Sequence, residues 1–93
     1  MDDNTLIEIG LREEGPLKVI LGGWTEPDEH QQTVGIVGLL YVTTDVDKAE
    51  HEFQRLRATF PDRYYMVYSV PYDTDLSTLN HWPSLEITQQ DLT

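Results

Sequence analysis

The stretch VGIVGLLYVTTDVDKAEHEFQRLRATFPDRYYMVYSV, residues 34–70, decides how this chain folds, because its apolar residues change period twice. Residues 34–43 are apolar on both faces and rich in β-branched side chains, the pattern of a strand covered on both sides or at least strongly covered on one. The expected place of this run is the centre of a sheet. Its glycines, Gly35 and Gly38, leave room for close packing by another element or by a second subunit. From Thr44 the period lengthens. Val46, Ala49, Phe53, Leu56 and Phe60 recur at spacings that alternate between three and four, which puts them on one stripe of a helix. Thr44 with Asp47 three residues on fits a capping box, and acids crowd the first turn, where the helix dipole favours them. Arg55 and Arg57 lie towards the other end, where it favours cations. Pro61 stops the helix by pushing the residue before it out of the α region. Residues 63–70, RYYMVYSV, return to a strand on aromatic and β-branched content, and Pro71 ends it.

Working outward, residues 5–12 alternate, with Ile7, Ile9 and Leu11 on one side and Glu8, Gly10 and Arg12 on the other. That two-residue period predicts a half-buried strand. Glu13-Glu14-Gly15-Pro16 is turn chemistry and leads into a second strand over residues 17–21, so the first two strands are expected to form a hairpin. Gly22-Gly23, Trp24, Pro27 and the polar run around them predict an exposed acidic loop over residues 22–33. A polar loop over residues 72–83 precedes a short edge strand over 84–88 and a mobile polar tail, 89–93. The expected fold is α+β: one small domain over residues 1–93, in the order β-β-β-α-β-(β). It has a mostly antiparallel sheet of four to five strands, with one amphipathic helix at about residues 45–60 packed on one face. A single helix covers such a sheet only on one side. The other face, together with the two-sided apolar strand, leads us to expect a homodimer or a protein partner.

Composition narrows the function classes. Seventeen acids against six bases give a net charge of −11, which repels phosphate backbones and anionic lipid. Direct nucleic-acid or membrane binding is therefore not expected, whereas a basic protein surface would be attracted. Without cysteine there is no disulfide framework, thiolate metal site or thiol nucleophile. The acidic start MDDNTLIEIG lacks the basic and apolar regions of a signal peptide, and no apolar run approaches the roughly 20 residues of a membrane span. A cytoplasmic protein is the expectation.

No catalytic constellation emerges. His30 lies in a predicted loop beside Glu26, Asp28 and Glu29, His51 sits on the polar side of the helix, and His81 falls in the late polar loop; in so acidic a chain, carboxylates near a histidine carry little information. Asp73-x-Asp75-x-Ser77 begins like a calcium loop, but the sixth position is Thr78 where glycine is needed, and the twelfth is Ser84 where a bidentate glutamate is needed. An Asx-type turn is the simpler reading. Catalytic, cofactor and metal residues are therefore none, and the chain is read as a non-enzyme with no cofactor. The best functional reading is a small acidic interaction or regulatory module. Its candidate partner-binding residues are Trp24, Tyr65, Tyr68, Tyr72 and Trp82, since tryptophan and tyrosine dominate interface hot spots. The alternative is an acidic nucleic-acid mimic that inhibits a nucleic-acid-binding protein, a role resting on net charge.

Overall fold

In the computed structural model, which describes residues 11, 15–79 and 82–84, the elements in chain order are β1 (Leu17–Pro27), β2 (Thr33–Thr43), α1 (Val46–Thr59) and β3 (Tyr64–Val70), followed by a 3₁₀ turn (Leu76–Thr78). The three strands form one antiparallel sheet in the order β2-β1-β3. Both outer strands run antiparallel to β1, so they are parallel to each other. Helix α1 carries the chain from one edge of the sheet to the other. The α+β class stands, with three strands and one helix among the described residues. The expected strands over residues 5–12 and 84–88 and the tail 89–93 lie outside those residues, except for Leu11 and Ser84. Leu11 is helical and buried, and Ser84 belongs to no strand.

Two expectations are corrected. Among the described residues the central strand is β1, and the apolar run of β2 is an edge. The predicted loop 22–33 shrinks to the turn 28–32, because Gly22 to Pro27 continue β1 and pair with the first half of β2, from Gly22↔Gly38 to Pro27↔Thr33. The turn is closed by Asp28, whose Oδ1 accepts the backbone N–H of His30 and of Gln32, each at 2.8 Å. Gln31 takes the left-handed conformation the turn needs, at φ 64°.

A shift of register between Ile20 and Leu21 makes Leu40 the extra residue of a β-bulge in β2. The Leu40 side chain sits where Gly22 has no Cβ; a methyl there would lie 2.6 Å from Leu40 Cδ1. The tight glycine is thus Gly22. Gly38, expected to serve close packing, would place a Cβ no nearer than 3.9 Å to its neighbours in this chain.

Register sorts the strand residues onto two faces. Ile20 pairs with Tyr41 and Val67 on the helix side, and the core there is Leu11, Ile20, Ala49, Phe53, Leu56, Tyr65 and Val67. Burying side chains the size of Ile20 or Phe53 stabilises the fold by about 1.5–3 kcal/mol each. The middle of the predicted helical stripe, Ala49, Phe53 and Leu56, is buried, while its ends, Val46 and Phe60, are exposed. The cap lies one residue later than expected: Asp45 Oδ1 accepts the N–H groups of Asp47 and Lys48 at 2.9 and 3.2 Å. Lys18 is buried on the same side and donates to Ser69 Oγ at 2.8 Å and to the Gly15 carbonyl at 3.0 Å.

Gly15 brings the chain into β1 with φ 133°, where an added Cβ would meet the Val70 backbone at 2.7 Å. Strain and backbone clash act together there, so Gly15→Ala is expected to cost about 2–3 kcal/mol. Chemical denaturation of the variant against the parent chain measures this, and a loss within error would refute it.

Candidate functional site

The face of the sheet opposite the helix is built from rows fixed by pairing: Val42, Val19 and Tyr68; Leu39, Leu21 and Met66; Val37, Gly23 and Tyr64. At one end of it Val19 and Val70 are buried, and the Tyr68 hydroxyl donates to the Ser84 carbonyl at 2.9 Å, which ties residues 82–84 to this side. Along β2 the face stays open. Val37, Leu39 and Val42 are 46, 60 and 45 % exposed, and Val34 on the other side of the same strand is exposed as well. Among the described residues nothing pairs with the outer edge of β2. Edge strands ordinarily carry charges or proline that discourage further pairing. From Gln31 to Thr44 this chain has neither.

A second feature lies where the end of α1 meets β1 and β3. The Arg63 guanidinium carbon is 4.2 Å from the Trp24 ring centroid and 4.1 Å from that of Phe60, so the cation is held between two aromatic faces. Trp24 Nε1 donates to Glu26 Oε1 at 2.8 Å, which orients the indole. Beside this stack is an open hollow of about 210 Å³, lined by Phe53, Arg57, Pro61, Arg63, Tyr64 and Tyr65. Arg57 lies over the Phe53 ring at 5.4 Å.

The five candidate residues part company. Tyr65 is core: its ring meets Phe53 edge-on at 6.4 Å, and its hydroxyl is shared between the carbonyls of Leu56 at 3.2 Å and Phe60 at 3.0 Å. Those are carbonyls of the helix's last turn, so Tyr65 caps the helix and is removed from any partner surface. Tyr68 is half-buried and bound to Ser84, and Trp24 is half-buried in the arginine stack. Tyr72 and Trp82 are exposed, at 55 and 49 %. Residues missed by the sequence reading are Val37, Leu39, Val42, Phe60 and Arg63. Their signal was present in part, since residues 53–72 hold three of the six bases and one of the seventeen acids.

The acidic stretch 73–78 is a cap. Asp75 Oδ1 accepts the Ser77 N–H at 3.1 Å and the Ser77 hydroxyl at 2.6 Å, and these bonds hold its carboxyl below the usual range. That is the Asx-type geometry expected of it. His81 lies outside the described residues. On the helix, Arg55 donates to Glu52 and lowers that carboxyl in turn. His30 and His51 are both exposed. No helix among the described residues is long and apolar enough to cross a membrane. Compared with known proteins, the chain matches no family model, no curated protein and no solved structure.

Burial raises the Tyr65 hydroxyl above the ordinary tyrosine value of 10.0, with Arg63 and Arg55 pulling the other way. A phenol that ionises later in the folded state than in the unfolded one leaves stability unchanged below the ordinary value and reduces it as pH rises through and beyond it. Tyr65→Phe is expected to lower stability at neutral pH by about 0.5–1.5 kcal/mol, by removing a buried hydrogen bond from two carbonyls that keep their backbone donors, the N–H groups of Phe60 and Arg63. It should also flatten the alkaline fall in melting temperature. An unchanged alkaline slope in the variant would show that Tyr65 is not its source.

Proposed function

We propose that this chain is a polypeptide-binding module without enzymatic activity, and that its docking element is the open edge and apolar face of β2. The observation that carries this reading is the row Val37, Leu39 and Val42, exposed on an edge strand with no charged residue between Gln31 and Thr44. Strand addition suits such an edge: backbone groups supply hydrogen bonds and alternate side chains supply selectivity.

The occupant we assign is a second copy of the chain. Two molecules of net charge −11 repel one another over most of their surfaces, and β2 is where neither contributes charge. The strand is also self-complementary. Antiparallel pairing about Ile36 sets Val34 opposite Gly38 of the second copy and Val37 opposite its Gly35. Gly38 has no close packing duty within its own chain, which leaves it available to a facing valine. The resulting sheet would have six strands and one continuous apolar face. Tyr72 and Trp82 offer further exposed aromatic surface for a protein partner. The nucleic-acid mimic is not carried forward, because mimicry requires carboxylates along one face, and α1 interleaves its acids with Lys48, Arg55 and Arg57.

Light scattering coupled to size exclusion tests the assignment. The parent chain is expected to show a dimer at high micromolar concentration that dissociates on dilution. Leu39→Lys and Val37→Lys, at exposed positions, should each weaken it by at least about tenfold while leaving the melting temperature of the monomer nearly unchanged. A strictly monomeric mass for the parent chain overturns the proposal, as does a dimer indifferent to both substitutions.

A further inference from the structure

We propose that Arg63 is the recognition group of a small-anion site, taking a carboxylate or phosphate carried on an apolar body of few atoms. The guanidinium carbon lies over two rings, 4.2 Å from the Trp24 centroid and 4.1 Å from that of Phe60. Held against these rings, it lines the hollow beside the stack, where its N–H donors are what it can offer a ligand. Among the described residues no carboxylate lies within ion-pair distance of it. In a chain with seventeen acids, a guanidinium held against two rings with no carboxylate partner among the described residues is an unusual use of one of six bases.

Three further features fit an oxyanion. Stacking between rings fixes the plane of the guanidinium before any ligand arrives, so little side-chain freedom is lost when two parallel N–H···O bonds form to a carboxylate or phosphate. Arg57 lines the same hollow, with its guanidinium carbon over the Phe53 ring at 5.4 Å. The segment 53–72 that builds it has Asp62 as its only acid beside Arg55, Arg57 and Arg63, which makes it the least acidic stretch of comparable length to meet an anion. Phe53, Pro61, Tyr64 and Tyr65 supply the apolar wall. At about 210 Å³ the hollow is smaller than the roughly 300–1,000 Å³ of sites for drug-sized ligands, so the group it holds is of fragment size.

The site is independent of strand pairing through β2, and the full chain can be tested directly. Titrating ¹⁵N-labelled protein with benzoate, with phenyl phosphate and with benzylamine as a cationic control reads out the Arg63 Nε–H and Trp24 Nε1–H resonances. Saturable shifts with one or both anions and none with benzylamine are expected. A response to benzoate alone identifies carboxylates, and a response to phenyl phosphate alone identifies phosphates. Arg63→Gln should weaken binding by at least about tenfold, and Arg63→Lys, which keeps the charge and loses the planar edge, should not restore it. Leu39→Lys should titrate like the parent chain, which separates this site from the β2 edge. Absence of saturable shifts in the parent chain, an equal response to benzylamine, or unchanged affinity in a folded Arg63→Gln overturns the proposal.

Discussion

The hydroxyl of Tyr65 is the point on which the two layers of this protein are joined. It reaches from β3 to the carbonyls of Leu56 and Phe60 at the end of α1, adding to the backbone N–H groups of Phe60 and Arg63 that they already accept, while its ring meets Phe53 and lies across from Gly22 in the sheet. One side chain both caps the helix and fixes how far along the sheet it sits. The position of Phe60, and with it the stack around Arg63, follows from that anchor.

From the same arrangement comes the imbalance between the faces. One helix buries Ile20, Val67 and Tyr65 on its side, while the opposite side is closed only towards Val19 and Val70. The open remainder coincides with β2, the strand richest in uninterrupted apolar residues. A strand of that composition at an edge is an unusual solution for a chain on its own, since its outer backbone groups and three large side chains are left to solvent. Pairing with a second copy would resolve both at once. The bulge at Leu40 turns one side chain into the core and confines the regular, pairable part of β2 to its first half.

Charge is divided as sharply as hydrophobicity. Acids are spread along the chain, before β1, in the turn 28–32, through the first half of α1 and after β3, whereas Arg55, Arg57 and Arg63 gather at the end of α1 and the start of β3. Net charge alone describes a uniformly repellent molecule. The fold instead places a basic, ring-lined hollow at one end and a neutral strand edge at one side, two surfaces with different chemistry.

The amino-acid sequence by itself determined the local elements whose side chains repeat with a clear period: the helix, through Val46, Ala49, Phe53 and Leu56 and its stop at Pro61, and the strand cores over residues 17–21, 34–43 and 64–70. It also pointed to an Asx-type turn in the stretch from Asp73 to Ser77, because aspartate-to-backbone bonding is local, and the structure assigns that turn to Asp75. Tertiary structure decided the rest. Gly22-Gly23-Trp24 reads as a loop by composition, and becomes strand because pairing with β2 outweighs weak local preference and because Leu40 needs the space of a missing Cβ. Alternation says that Tyr64 and Tyr65 point to opposite sides, but only the helix determines that Tyr65 is the one buried. Likewise the apolar run of β2 signals cover on both faces, while strand order, a matter of long-range pairing rather than of local periodicity, places it at the edge.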